Sequence, residues 1–419
     1  MLQKIKKNRR KVLDQDQLAN TTWPMIHCDA QGTKTSPNSG PIQKDAFTVL
    51  AELSSDVILM ISTKNRIYVQ EAVNYVKAFH PETLELMEQS DSVEATFPFF
   101  AGGTLEDNGF LWFTANNRVA RLTPDLKEIV WSESFEPSDI PFNTCCFLPD
   151  GNLLVTSCLA AHVISPELRN GTFEIISSLD LGSLRWEGEQ VFVYYPVMPR
   201  PVSDENGGLY FSSNGFVSKL HYDSITKSIL PEIIWAVPHD ESDVSFNLCD
   251  PVLVDSNVYA VAKPSDTDAM KVYSIDSTTG ELNGTCIPFP EAIGYTSAHT
   301  IGAVPDKNLL IVICNTPDLT GGMVGIDATT LEILWHARMA NIGGAFCCSS
   351  VSNRAYIINL DPEDSMLKYW ALDLDTGAQT VLHQYSSDTD PTVSLASIGY
   401  DGRLYYPNPT PGFAMIQDK

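Results

Sequence analysis

His299, Arg200 and Asp250 are the side chains of this sequence best suited to catalysis. An imidazole titrates near neutral pH and passes a proton in either direction, so His299 is the candidate acid–base group. Arg200 stands in "YYPVMPRP" (194–201), where prolines stiffen the backbone and can aim a guanidinium. Asp250 supplies a carboxylate to orient or charge-balance either partner. Signatures of other chemistries are missing: the sequence has no Gly-rich phosphate loop, no GxSxG elbow and no HExxH pair. Its nine cysteines are widely spread with no CxxC pair. They read as small, mostly reduced core residues, and no metal site is expected.

Something must hold these groups together, and the chain's periodicity says what. Helical spacing is almost absent. One unit recurs eight times, a turn carrying Asp, Asn or Gly that leads straight into an apolar-aromatic strand. The copies are "NRIYVQ", "NGFLWF", "GNLLVT", "GGLYFS", "SNVYAV", "KNLLIV", "NRAYII" and "GRLYYP". Counted from Arg66, Gly109, Asn152, Gly208, Asn257, Asn308, Arg354 and Arg403, they stand 43 to 56 residues apart. After each of the first seven comes a strand, a turn rich in Asp or Pro, and a further strand, as in "VYSIDSTTGELNG" and "WALDLDTGAQTVL". Four strands per repeat and eight repeats predict an all-β fold, a single eight-bladed β-propeller with four-stranded antiparallel blades. The last copy has only three strands. Residues 46–53, "AFTVLAEL", are expected to complete it as an outer strand, which removes an open edge. The chain then divides into a basic tail (1–20), a strap across one face (21–45) and the propeller (46–419).

In a propeller the innermost strand of each blade lines a central channel. A short step upstream of each repeat, the sequence offers an inner ring of Asp56, Phe99, Asn143, Met198, Asn247, His299, Phe346 and Ser394. Neighbours on the same strands are Phe97, Tyr194, Tyr195, Arg200, Asp250, Ser297 and Thr392. A slip of one residue would swap faces. The ring is mostly aromatic or apolar with a few polar groups, which suits an organic ligand held by shape and oriented by two to four hydrogen bonds. Phe97, Phe99, Asn143, Tyr194, Tyr195, Met198, Asn247, Ser297, Phe346 and Ser394 are the candidate substrate-binding residues.

The repeats resemble those of the quinoprotein-type (PQQ-like) propellers, whose blades end in an "xLYALDxxTGxxxW" strand pair. The stretch "TTWPMIHCDAQGTKTSP" (21–37) resembles the N-terminal signature of many such proteins. It supplies Trp23-Pro24-Met25, Asp29-Ala30-Gln31, Thr33 and Ser36-Pro37, followed by Gly40-Pro41. The resemblance runs from about residue 21 to the end. It implies a strap with Trp23 wedged between blades, and His27 and Asp29 either facing the funnel or satisfied within the strap. It also raises the cofactor PQQ, a tricarboxylate that needs several cationic donors and usually a divalent metal. Quinoprotein alcohol dehydrogenases carry a vicinal disulfide beside it, and this chain has two vicinal pairs, Cys145-Cys146 and Cys347-Cys348. Yet neighbours on a strand point to opposite faces, so buried thiols are the simpler expectation. With one Arg, one His and no carboxylate cluster in the ring, the fold is expected without the cofactor. A calcium-dependent lactonase reading rests on Asp56, Asn143, Asn247 and Asp250.

The balance of 52 acidic against 27 basic residues gives a net charge of −25, and six of the basic ones lie within the first eleven positions. Such a body repels nucleic acid and anionic membrane, and no run reaches the length of a membrane helix. A monomer binding a small apolar or aromatic molecule is expected. The N-terminus lacks the apolar stretch of a signal peptide, so a cytoplasmic location is the default and a secreted one applies if that end was trimmed. Sequons stand at Asn20, Asn170 and Asn283. The expected function is a cofactor-free cyclisation, cycloaddition or isomerisation of the natural-product kind. The alternatives are a PQQ- or metal-dependent oxidoreductase or lactonase, and a protein-binding scaffold.

Overall fold

In the computed structural model the described residues are 21–23, 31–55, 57–71, 75–92, 103–106, 108–135, 144–157, 159–192, 200–213, 215–238, 250–262, 269–293, 299–343, 346–386, 396–400, 402–407 and 412–419. They build the eight blades of a propeller, each a small antiparallel sheet, and one separate two-stranded sheet, Arg185–Trp186 with Glu189–Gln190. The innermost strands, in blade order, are Val57–Thr63, Gly103–Leu105, Thr144–Phe147, Val202–Ser203, Val252–Val254, His299–Val304, Cys347–Ser349 and Ser397–Ile398. The eight repeated units fall on the second strands: Ile67–Glu71, Leu111–Ala115, Leu153–Thr156, Gly208–Ser213, Asn257–Ala262, Leu309–Cys314, Arg354–Asp361 and Leu404–Pro407.

Burial explains why these units were so visible. A second strand is covered on both faces by neighbouring blades, so it reads as a continuous apolar run instead of an alternation. Leu111–Ala115, Leu153–Thr156 and Leu309–Cys314 are buried at every position. The outer strand Ile333–Arg338 exposes four of its six residues and buries only Trp335 and Ala337.

The Asp-Thr turns connect the third and fourth strands of a blade, and the turn at Asp373 packs against the preceding blade. Asp276 Oδ1 accepts the N–H groups of Thr278 and Thr279 at 2.8 and 2.7 Å, and Asp327 and Asp373 repeat the arrangement. Gly377 closes its turn at φ 70°, and a Cβ there would stand 2.6 Å from the ring of Trp335 in the preceding blade. Trp335 Nε1 donates to the Leu374 carbonyl at 2.8 Å. A second set of links comes from the tyrosines of the repeated unit. Tyr68 OH donates to Pro124 O, Tyr259 OH to Ala328 O and Tyr405 OH to Pro81 O, at 2.9, 2.7 and 2.8 Å. Each bond reaches the outer turn of the following blade, and the last ties blade eight to blade one.

The ring closes through the N-terminal strand Phe47–Glu52, which pairs antiparallel with Gly412–Gln417, from Phe47 opposite Gln417 to Glu52 opposite Gly412. Three blades depart from four strands. Thr21–Trp23 pairs with the innermost strand of blade one, and blade four has five strands because two short segments follow its third strand. Thr35–Ser36 runs parallel to the innermost strand of blade seven.

Candidate functional site

The channel has two ends. At one, the chain enters the innermost strands, where the sequence reading expects the ring residues. At the other, those strands finish and residues 31–40 lie across them.

At the entering end Arg200 immediately precedes the inner strand of blade four, and Asp250 that of blade five. Fifty positions apart in sequence, they meet directly: the Arg200 backbone N–H donates to Asp250 Oδ1. Asp250 is 5% exposed. The Nε and Nη1 of the Arg200 guanidinium are enclosed, with no hydrogen-bond partner among the described residues. Burial pulls its pKa down, while the charge of Asp250 and, more weakly, the nearby Cys145 and Cys146 hold it up. Those cysteines lie on the inner strand of blade three, so the group draws on three consecutive blades.

The cysteines remain thiols. Cys145 packs between blades two and three with Trp112 and Leu153, and Cys146 between blades three and four with Leu148 and Leu154. Their side chains thus leave opposite faces of one strand, and neither is in a disulfide. Burial raises both pKa values, that of Cys146 to about 12, with Arg200 pulling down in each case. Cys347 and Cys348 in blade seven are splayed in the same way and are not in a disulfide either.

At the finishing end the strap follows the ring. Gln31 Nε2 donates to Ser203 O, and Gln31 O accepts from Leu253 N. Thr33 O accepts from Ala303 N, and Lys34 O from Cys348 N, both at 2.8 Å. Lys34 adopts φ 60° and is 1% exposed. Its ammonium donates to Ile301 O and lies 6.0 Å from the centre of the Phe346 ring. Gly302 makes room for this seat, since a Cβ there would meet both Thr33 O and Phe346 Cζ at 2.8 Å.

Phe346 is 2% exposed and packs between blades six and seven above Lys34. His299 opens the inner strand of blade six, its backbone opposite Cys314; its side chain is outside the described residues. So are Phe97, Phe99, Asn143, Tyr194, Tyr195, Met198, Asn247, Ser297 and Ser394, together with Asp56, Thr392, His27, Asp29 and the side chain of Trp23. The buried Lys34 went unread at the sequence level. The available signal was a lone cation in the uncharged stretch "AQGTKTSPNSGPIQ".

No protein-family model matches the chain, and no curated protein matches it. Solved structures do. Quinohemoprotein alcohol dehydrogenase ADHIIG from Pseudomonas putida HK5 superposes with a TM-score of 0.65 at 10% identity, over 94% of this chain and 79% of that one. The quinohemoprotein alcohol dehydrogenase of Comamonas testosteroni gives 0.63 at 12%, over 95% and 81%. BamB from Moraxella catarrhalis gives 0.55 at 12%, over 88% and 100%. The chain has the quinoprotein-like propeller fold.

This propeller can be tested against the cofactor that its fold resemblance raises. A metal-bound tricarboxylate quinone needs clustered ligands, several cations and, in the alcohol dehydrogenases, a vicinal disulfide. Among the described residues no three His, Cys, Asp or Glu side chains are grouped to hold a metal. Both vicinal cysteine pairs are unbridged with their thiols on opposite strand faces. The described wall does not fit that cofactor. It offers one guanidinium with unused donors, held by a carboxylate on its own backbone, beside buried apolar packing. Such a group can stabilise negative charge developing on a ligand oxygen.

Proposed function

We propose that the channel of this propeller binds a small, mostly apolar organic molecule and catalyses its isomerisation or cyclisation without a redox cofactor. The observation behind this reading is the Arg200–Asp250 pair, brought from distant sequence to the entering end with guanidinium donors unspent. Arg200 polarises an oxygen of the ligand. Asp250 fixes the backbone from which that side chain projects. His299, at the start of the next inner strand, moves the proton. Reactions of this kind depend on preorganisation and a few hydrogen bonds more than on a nucleophile.

The test is a thermal-shift screen of aromatic and terpenoid compounds, followed by turnover assays on each hit. Arg200→Gln should lower turnover by about 10²- to 10³-fold, the scale of a lost oxyanion donor. His299→Gln should lower it by about 10²-fold. Wild-type turnover in both folded variants would remove the channel as the active site.

A second reading, a PQQ-dependent oxidoreductase, is favoured by the likeness to the two alcohol dehydrogenases. It is checked by heating the protein with oxidised PQQ and calcium. No rise in melting temperature is expected, and a shift of several degrees would restore the redox reading.

A further inference from the structure

We infer that the outer strand of blade eight, Phe47–Glu52, is a docking edge for an extended, cationic segment of a partner protein, which adds to the blade as a further strand. The inference is independent of the channel and goes beyond its proposed reaction.

Each blade ends in an outer strand whose far side has no neighbour in its sheet, and among the described strands seven of the eight are guarded. In blades one, three, five, six and seven the register of that strand shifts against the third strand. Ile129–Trp131 of blade two spans only three residues. Trp235–Pro238 of blade four ends in a proline, which has no N–H to offer a further strand. Phe47–Glu52 has none of these devices. It meets Gly412–Gln417 in six consecutive pairs without a shift. Its sequence, FTVLAE, contains no Pro, Gly, Lys or Arg, and its one charge stands at the end. Phe47 is 52% exposed and Leu50 58%, and strand alternation sets them on opposite faces. An incoming strand therefore finds apolar surface on both faces of a regular edge.

Charge selects the occupant. Beyond position 11 stand all 52 acidic residues and only 21 basic ones. Such a body repels a second copy of itself and draws in a cationic segment. On the strand itself the charge is Glu52, exposed at one end, where a Lys or Arg of the partner can lie opposite it. Main-chain hydrogen bonds hold an added strand, and alternate side chains select it. The partner segment is thus a run of about six β-branched or aromatic residues flanked by Lys or Arg.

Three capped peptides serve as probes: KTVTVTVK, ETVTVTVE and KTVPVTVK. Each is titrated into the full-length protein by calorimetry at low salt. Wild type should bind KTVTVTVK at least about tenfold more tightly than ETVTVTVE, and the gap should narrow as salt is raised. KTVPVTVK keeps the charge but loses a backbone N–H, and it should bind at least about tenfold more weakly than KTVTVTVK. Leu50→Asp removes an apolar contact and adds negative charge. It should weaken KTVTVTVK by about tenfold or more, whereas general attraction to an acidic surface predicts tightening. Leu334→Asp makes the same change on the guarded outer strand of blade six, where Leu334 is also about half exposed, and should leave binding unchanged. Phe47→Asp repeats the test if Leu50→Asp fails to fold. Equal binding of KTVTVTVK and KTVPVTVK, undiminished binding in the blade-eight variants, or an equal loss in Leu334→Asp overturns the inference. Failure of all three peptides to bind overturns it too. A wild-type dimer in analytical ultracentrifugation that Leu50→Asp dissociates assigns the edge to a second copy and overturns the cationic partner.

Discussion

Blades three and seven stand opposite each other in the ring, and each sets a vicinal cysteine pair near a cation, buried in one case and part-buried in the other. In blade seven that cation is Lys34, reaching in from the strap. It has a carbonyl at its ammonium and an aromatic ring nearby, and it counts among the forces drawing down the Cys348 thiol, which burial raises to about 12. Beside blade three it is Arg200, whose carboxylate neighbour is spent on its own backbone and whose Nε and Nη1 are bare. Composition at the two places is nearly the same. What differs is whether the cation's donors are used. A cation whose donors are used adds to stability; one whose donors are enclosed and unused subtracts from it.

The strongest way to break this contrast is to neutralise each cation and measure stability by urea denaturation. Lys34→Met keeps the stem and deletes the ammonium, so it should cost about 1–3 kcal/mol. Arg200→Met removes enclosed donors without a hydrogen-bond partner but also the charge that faces Asp250, so it should cost less than Lys34→Met. Equal losses would mean that Arg200 is as structural as Lys34.

Packing around the strap gives the next effect. Gly302→Ala drives a Cβ against Thr33 O and Phe346 Cζ. It should cost about 1–3 kcal/mol, the range for overpacking, and leave binding at Arg200 unchanged. A parallel loss of ligand binding would show that the two ends of the channel are coupled.

Thiol chemistry sharpens the comparison further. With pKa values of about 12, Cys146 and Cys348 carry a thiolate fraction of about 10⁻⁴ at pH 8. Among the described cysteines, iodoacetamide should label the half-buried Cys286 first and none of Cys145, Cys146, Cys347 and Cys348 until the protein unfolds. Faster labelling of the blade-three pair would mean that the Arg200 charge reaches those sulfurs more strongly than Lys34 reaches Cys348.

The smallest effect concerns pH. His162, also in blade three, hydrogen-bonds Ser178 Oγ at 2.8 Å and stacks near Phe135, and burial pushes its pKa down to about 4 from the ordinary 6.5. Between these values the unfolded chain binds the proton and the folded one does not. Its contribution is complete above about pH 6.5 and is lost as pH falls toward 4. His162→Phe should flatten that part of the stability–pH curve, whereas a curve of unchanged slope would contradict the assignment.

Much of the fold could be read from the residues because burial imposes it locally. Strands such as "LLIVIC" (309–314) lie between two blades and are apolar throughout, and the Asp-Thr turns at Asp276, Asp327 and Asp373 carry their own hydrogen bonds. The missing fourth strand of the last repeat pointed to residues 46–53, and Phe47–Glu52 fills that edge. Strand alternation also predicted that neighbouring cysteines would part. The site was less legible, because it depends on long-range meetings that no local pattern encodes. Proline stiffness and charge singled out Arg200 and Asp250, but not that a backbone N–H would take the carboxylate. Lys34 has a left-handed backbone and a side chain seated among residues 267 or more positions away. Only the assembled ring makes that place.

Closing the last blade with the first strand has a kinetic consequence. Phe47 meets Gln417, and the strap from Gln31 to Gly40 binds Leu253, Ala303, Cys348 and Ser352. During synthesis, this stretch leaves the ribosome well before the partners it waits for, with Phe47 and Leu50 still half exposed even after folding. Loop-closure entropy and high contact order make this final docking slow, and until then the open edge can recruit another chain. A circular permutant that joins the present ends and opens a turn between blades would place Phe47–Glu52 directly after its pairing strand. It should reach the same structure with a faster last step and less aggregation on refolding.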